Sequence, residues 1–537
     1  MSGSGHRLLS VARLSVSEPR AGRMLCGPLS FGIDHGRTLG IVGESGSGKT
    51  LTAMAVAGLL PGHLAAEGHV ALDGATLPTG DAAASRDLRT AYTGVVFQNP
   101  STALNPRLTV GAQLAEALAP DVRRDQARAV ARCLTLLDEV GIREPERKLT
   151  VWPHELSGGI AQRVVIAMAL ARQPKLLIAD EPTTALDVTV QAQILDLIAG
   201  LQRRHRFGVL LITHDMGVIR DRADEVVVMA GGRVVEHGGT EALFAAPRSN
   251  EAKTLLAASE FVLPEWNDPA GTAPGTPPLL EARGVRKTFR KGPQALAGVD
   301  LVVRPGISLG IVGESGSGKS TLARIIAGLE RADAGAIRLD GEIRRPGTRS
   351  DLVQYVFQDP YSSLDPRLAV VDTVAEPLRA KGMRKADALK AARTLLDEVG
   401  LDPSLWERLP GRLSGGQRQR VGFARAIATR PKLLIADEPV AALDSTSRER
   451  VLALMQRLQA RHGTAQLLIS HDLSVVARLC SEVVVMRAGE IVERGPTRRI
   501  FETPAHPYTR QLLEAVPGRR RQPAPLIETV HATGETT

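Results

Sequence analysis

Cysteine is scarce in this chain: its 537 residues include three, Cys26, Cys133 and Cys480, far apart and without a C-x-x-C pair. That spacing argues against a disulfide framework, a cysteine zinc site and a cysteine-ligated iron–sulfur cluster, and it suits a reducing compartment. Long apolar runs are also missing. None reaches the roughly 18 residues that a membrane helix needs, so the chain is not expected to span a bilayer by itself. The opening "MSGSGHRLLSV" lacks the charged-then-apolar layout of a signal peptide. Nor is charge of one sign concentrated: Lys and Arg total 67 against 58 for Asp and Glu, a formal +9, yet the one dense basic run is "GRRRQ" near the C-terminus. Such a balance suits nucleotide phosphates, nucleic acid or an anionic membrane surface, but charges spread over solvated faces are the simpler account. With 43% hydrophobic and 23% charged residues the composition is that of a folding, globular chain, long enough for two large domains.

What the chain does have, it has twice. "GESGSGKT" at 43–50 returns as "GESGSGKS" at 313–320, "VVFQNPSTALNPRLTV" from 95 as "YVFQDPYSSLDPRLAV" from 355, and "LSGGIAQR" from 156 as "LSGGQRQR" from 413. "PKLLIADEPTTALD" from 174 returns as "PKLLIADEPVAALD" from 431, and "LITHDMGVI" from 211 as "LISHDLSVV" from 468. The offset is 270 at Lys49 and Lys319, 260 at Gln98 and Gln358, and 257 at Asp180 and Asp437. The second copy therefore lost about ten residues between the first two motifs, a place where surface loops absorb length, and then kept register. A period this long means two whole domains rather than a solenoid. Between them "EWNDPAGTAPGTPP", 265–278, reads as a Pro/Gly-rich linker, which gives domains at 1–264 and 279–518 and a flexible tail at 519–537.

Within each copy "TLGIVG" or "SLGIVG", "KLLIAD", and "GVLLITHD" or "AQLLISHD" predict buried strands alternating with helical segments, the pattern of a parallel α/β sheet. "ARCLTLLDEVGI" and "AARTLLDEVGL" show helical spacing and predict a mostly helical subdomain between the glutamine and the LSGG run.

G-x-x-x-x-G-K-[ST] between a strand and a helix is a phosphate loop, whose glycines let backbone N–H groups close around phosphates at a helix N-terminus. The first comprises Gly43, Ser45, Gly46, Ser47, Gly48, Lys49 and Thr50, and the second Gly313, Ser315, Gly316, Ser317, Gly318, Lys319 and Ser320. Lys49 and Lys319 are expected on the β- and γ-phosphates, and Thr50 and Ser320 on Mg²⁺. Asp180 and Asp437, ending a buried strand, are expected in the Mg²⁺ shell, and Glu181 and Glu438 to orient or deprotonate the attacking water. His214 and His471 each follow an apolar strand 34 residues after the aspartate, and both are assigned to the γ-phosphate.

Phosphate loop, glutamine, LSGG, "DEP..ALD" and late histidine, in that order, resemble the ATP-binding-cassette ATPases over nearly the whole chain. The resemblance implies an α/β fold: two tandem P-loop nucleotide-binding domains, each a RecA-like core with an antiparallel β subdomain and a helical subdomain. It further implies head-to-tail pairing of the two domains, with each ATP held between one phosphate loop and the LSGG of the other copy. The first site would then use Lys49, Thr50, Gln98, Asp180, Glu181 and His214, completed by Ser414, Gly415 and Gly416; the second would use Lys319, Ser320, Gln358, Asp437, Glu438 and His471, completed by Ser157, Gly158 and Gly159. Gln98 and Gln358 join the expected metal shells, and Asp187 and Asp444 match the loop linking the sites. Two departures set the copies apart. Phe289 matches the family's adenine-stacking aromatic where the first copy has Glu18, and Gln417 ends "LSGGQ" where the first copy has Ile160.

"PAHPYTRQLLEAVP", 504–517, resembles the tail of ATPases that energise oligopeptide, dipeptide and nickel importers; by itself it reads as a Pro-containing surface extension with a short amphipathic stretch. That branch implies a peripheral ATPase on the cytoplasmic face of the inner membrane, docked on two transmembrane permease subunits and fed by an extracytoplasmic substrate-binding protein, with no nucleic acid partner. The competing reading, a soluble twin-cassette ATPase acting on ribosomes or DNA, would call for a long charged linker or zinc-site cysteines, and neither is present.

Overall fold

The computed structural model describes residues 7–44, 46–77, 86–184, 186–259, 276–289, 294–359, 361, 363–441, 443 and 445–518. Ser45, Asp444, most of the expected linker and the expected tail lie outside the described residues.

The apolar runs form the strands they predict. Thr38–Gly43, Leu176–Asp180 and Gly208–Ile212 are buried at every residue, as are Ser308–Val312, Leu433–Asp437 and Ala465–Ile469 in the second copy. Burial on both faces is why these segments read as continuous apolar runs rather than alternating ones. Each copy builds a six-stranded sheet in the same order. In the first it runs Arg233–Gly239, Glu225–Ala230, Thr38–Gly43, Gly208–Ile212, Leu176–Asp180, Thr93–Val96, parallel except for the antiparallel strand Arg233–Gly239 at one edge. The second runs Glu490–Pro496, Glu482–Arg487, Ser308–Val312, Ala465–Ile469, Leu433–Asp437, Val353–Val356, again with one antiparallel edge. The phosphate-loop strand therefore sits third from the edge, and the carboxylate strand two places further on.

A four-stranded antiparallel sheet completes each copy, with Leu9–Glu18 or Leu280–Thr288 inside it. Leu9 lies opposite Ile33 and Leu72, and Leu280 opposite Val303 and Leu339. Both strands shift register at the same place, between Val11 and Leu14 and between Ala282 and Val285. Counting from this shared register puts Glu18 and Phe289 at equivalent positions, nine residues after Leu9 and Leu280.

Helices Gln126–Glu139 and Lys385–Glu398 form where the sequence spacing places them. The first starts at Asp125, whose side chain accepts the Arg128 N–H at 3.1 Å, and it buries Ala129, Cys133, Leu136 and Leu137 along one face. Truncating the wholly buried Leu136 to Ala is expected to cost about 2–5 kcal/mol. One expectation changes in the C-terminal segment. Helix Pro507–Glu514 buries Tyr508, Thr509, Leu512 and Leu513, so the HPYT stretch is packed against the protein instead of lying on its surface. The three cysteines are free and buried, and no helix among the described residues is long and apolar enough to cross a membrane.

Candidate functional sites

The strand-to-helix turn after Gly43 works only with glycine there. A Cβ on Gly43 would stand 2.2 Å from the Met229 carbonyl oxygen, and one on Gly313 would stand 2.1 Å from that of Met486. Gly48 and Gly318 start the following helices in left-handed geometry, with φ of 96° and 101°. Lys49 folds back into its loop, Nζ donating to the Gly43 and Glu44 carbonyls at 2.8 and 2.9 Å; Lys319 donates to those of Gly313 and Glu314, both at 2.7 Å. Burial lowers both lysine pKa values against the opposing pull of nearby carboxylates, among them Glu181 and Asp180 in the first copy and Glu438 and Asp437 in the second. Ser47 Oγ is buried without a hydrogen-bond partner, the kind of orphan that a bound phosphate oxygen would satisfy.

At the start of each helix the hydroxyl meets the expected carboxylate. Thr50 Oγ1 donates to Asp180 Oδ1 at 3.3 Å, and Ser320 Oγ to Asp437 Oδ1 at 3.0 Å. A hydroxyl beside a carboxylate at the mouth of a phosphate loop suits Mg²⁺, which prefers oxygen ligands and shares them with substrate phosphates. Burial raises the pKa of both aspartates. Asp437 has a further partner that Asp180 lacks, the Tyr355 hydroxyl at 2.6 Å from Oδ2; the matching residue in the first copy is Val95.

Next in sequence, Glu181 and Glu438 adopt φ of 45° and 46°, a left-handed backbone that costs a non-glycine residue on the order of 1–3 kcal/mol. Each is held there by its N–H, which donates to the Ile212 or Ile469 carbonyl at 2.9 Å. Their side chains gather the glutamine and histidine that the sequence assigns to the metal and the γ-phosphate, a pairing it does not foresee. Gln98 Nε2 donates to Glu181 Oε2 at 2.7 Å and His214 Nδ1 lies 3.1 Å from Oε1; Gln358 and His471 hold Glu438 at 2.9 and 3.1 Å. Thr184 Oγ1 also donates to Glu181 at 2.8 Å, where the second copy has Ala441. Burial alone would raise the Glu181 carboxyl, but the His214 hydrogen bond and charge, with Thr184 and Gln98, outweigh it and hold it down at about 2. Glu438 is lowered too, burial being overcome by His471 and the Lys319 charge. The Glu181 hydrogen bond raises His214, against burial.

The LSGG runs start helices, Gly158–Leu170 and Gly415–Ile427. Gln417 builds a capping box, its Oε1 accepting the Ser414 N–H at 2.8 Å while Ser414 Oγ accepts the Gln417 N–H at 3.3 Å. Ile160 cannot do this, and the Ser157 side chain makes no capping bond. Asp187 caps helix Val188–His205 through Val190 N–H at 2.9 Å, and its other oxygen reaches into the second copy, accepting from Ser315 N–H in the phosphate loop at 3.2 Å. Val188 beside it is buried in the second copy's core. Phe289 is 45% exposed with Lys287 Nζ 5.2 Å from its ring centre, whereas Glu18 pairs with Arg23 at 3.4 Å.

Thr184, Tyr355 and Tyr508 were not singled out from the sequence. Comparing the copies would have found the first two, because Thr184/Ala441 and Tyr355/Val95 are differences inside otherwise repeated motifs.

Two loops of phosphate-binding form, each with an aspartate and a glutamate at the end of one strand two places away in the same sheet, define a nucleoside-triphosphatase carrying its machinery twice. The particular lineage follows from comparison: the ABC transporter family model matches residues 26–184 and 296–441, and the oligopeptide/dipeptide transporter C-terminal region matches 492–534. The chain is 43% identical over 537 residues to the glutathione import ATP-binding protein GsiA of Escherichia coli (strain K12), covering 91% of this chain and 86% of that protein. It is 42% identical over 531 residues to the peptidoglycan transport ATP-binding protein YejF of Agrobacterium fabrum, covering 95% and 96%. A solved dimeric ATP-binding cassette, MJ0796 bound to ADP and Pi, aligns with 41% of this chain and 99% of its own at 31% identity and a TM-score of 0.38. This chain belongs to the ATP-hydrolysing subunits of the ABC transporter family.

Proposed function

We propose that the chain is the motor of an importer for peptides or a related small solute, among them dipeptides, oligopeptides, glutathione-like peptides and nickel or metal chelates. The observation that carries this is the union in one chain of two cassettes and the oligopeptide/dipeptide C-terminal region, with relatives named for glutathione and peptidoglycan transport. The domains are 1–264 and 279–518, joined by the 265–278 linker. They pair head to tail, and the Asp187 bond to the Ser315 N–H supports that arrangement. On the cytoplasmic face of the inner membrane the protein docks on two permease subunits through grooves near Gln98 and Gln358, and an extracytoplasmic binding protein delivers cargo.

Each site is composite. Lys49, Thr50, Gln98, Asp180, Glu181 and His214 face Ser414, Gly415 and Gly416, while Lys319, Ser320, Gln358, Asp437, Glu438 and His471 face Ser157, Gly158 and Gly159. Mg²⁺, held by the hydroxyl, aspartate and glutamine of each set, would supply charge neutralisation on the phosphates. In the nucleotide-free protein Glu181 is ionised but, with its proton affinity held down by His214, a poor base. A bound γ-phosphate would draw His214, and Mg²⁺ would draw Gln98, off the carboxylate, and like-charge repulsion from the phosphate would raise it, which leaves Glu181 free to take the proton of an attacking water. Closure on ATP and reopening after hydrolysis then drive the permeases.

Reconstitution with the neighbouring permeases and binding protein in proteoliposomes tests the reading: di- and oligopeptides or glutathione should stimulate the ATPase and enter the vesicles. Stimulation by ribosomes or DNA, with none by these solutes, would favour the soluble twin-cassette alternative.

A further inference from the structure

The C-terminal helix reaches the second phosphate loop. Tyr508, 3% exposed, accepts the backbone N–H of Glu314 at 3.0 Å, beside the Ser315 N–H that bonds to Asp187. The ring is fixed from the other side by Arg487, whose guanidinium lies 4.9 Å from its centre. Burial pushes the phenol up to about 12, so it keeps its proton at any working pH. A few residues on, the same segment leaves its own domain. Gly518 N–H donates to Asp221 Oδ2 at 3.0 Å, and Pro517 packs so closely on Gly217 that a Cβ there would come within 3.0 Å. Gly217 and Asp221 belong to helix Met216–Arg222, which begins two residues after His214 of the first site. The first copy has exposed Glu251 where the second has Tyr508, so its phosphate loop has no such phenol.

We propose that residues 507–518 form a strap between the sites, in which Tyr508 is a positioning residue that sets the second phosphate loop while Pro517 and Gly518 anchor on the helix behind His214. The loop's Glu314 and Ser315 N–H groups are thus fixed by two different parts of the chain before nucleotide arrives, and the strap reports on the first site's histidine helix. Holding those two N–H groups fixes the loop backbone, so that the loop's remaining amides meet phosphate without a reorganisation cost, which is why the second site depends on the phenol. The proposal rests on the reading that the 313–320 loop binds MgATP.

Equilibrium MgATP binding separates the sites when measured in two full-length backgrounds, Lys49→Ala, which leaves the second loop, and Lys319→Ala, which leaves the first. Tyr508→Phe keeps the ring under Arg487 and is expected to weaken binding about three- to tenfold in the first background only, the size of one lost hydrogen bond. Asp221→Ala leaves Tyr508 intact but frees the anchor; it should weaken the same site by about two- to fivefold and add nothing once Tyr508→Phe is present. Unchanged affinity after Tyr508→Phe, or equal weakening in both backgrounds, overturns the positioning role. Additive effects of the two substitutions overturn the strap. Absence of any MgATP binding in the Lys49→Ala chain with Tyr508 intact overturns the nucleotide assignment of the loop, and the proposal with it.

Discussion

His214→Ala isolates the pair that controls the Glu181 carboxylate, the base proposed for the first site. Glu181 is held at about 2 against an ordinary 4.5, a difference that corresponds to about 3 kcal/mol at 1.36 kcal/mol per unit. Burial opposes the lowering, and His214, Thr184 and Gln98 share it, with His214 contributing both the leading hydrogen bond and the charge. Because the His214 side chain is 58% exposed, water screens part of its share, which brings the expected loss to about 1 kcal/mol. The pH dependence has a definite sign. The lowered carboxylate stabilises the fold above about 4.5, and this is lost as pH falls from there toward 2; the raised histidine stabilises it below about 6.5, and this is lost as pH rises through its folded pKa. The two overlap fully between about 4.5 and 6.5. Amide hydrogen exchange of peptides covering 176–184 and 208–215 in the nucleotide-free protein reads the local opening energy. His214→Ala should lower it by about 1 kcal/mol at pH 5.5 and by much less at pH 9. An equal loss at both pH values, or none at pH 5.5, would refute the ion-pair account.

Other expectations follow from the differences between the copies. Tyr355→Phe removes a charge-assisted bond worth about 1.5–3 kcal/mol from Asp437 and should raise its proton affinity, weakening Mg²⁺-dependent nucleotide binding at the second site as pH falls; a Mg²⁺ titration at pH 5.5 and 8 that shows no difference from wild type would count against it. Phe289→Ala should cost the second site about 1–3 kcal/mol of adenine stacking, and the first site, with Glu18, should already bind more weakly; equal affinities in the Lys49→Ala and Lys319→Ala chains would contradict that asymmetry. Asp187→Ala should loosen the second phosphate loop and remove a helix cap worth about 0.5–2 kcal/mol, seen as a lowered thermal midpoint together with weaker MgATP binding in the Lys49→Ala background.

Much of this was legible because the chain repeats itself. Buried parallel strands print as apolar runs, and Leu176–Asp180 and Gly208–Ile212 form where "KLLIAD" and "GVLLITHD" place them. Motif order put Gln98, Glu181 and His214 in one site but did not show that the first and last pair on Glu181, since the three come from separate strand ends that meet once the sheet order is known. Tyr508 was read as part of a surface extension because nothing local signals its target: Glu314 is 194 residues away, and only tertiary packing brings the phenol to that amide. Thr184 was invisible for a different reason. It sits inside a repeated motif in which its counterpart, Ala441, makes the position look tolerant, whereas here the hydroxyl supports the carboxylate.

The central claim is that two glutamates, one per copy, activate water for ATP hydrolysis while the loops bind nucleotide without them. The most direct test is steady-state ATPase activity alongside MgATP binding in the Glu181→Gln/Glu438→Gln double variant. The account predicts retained binding and turnover reduced to background; ATPase activity near wild type would contradict it.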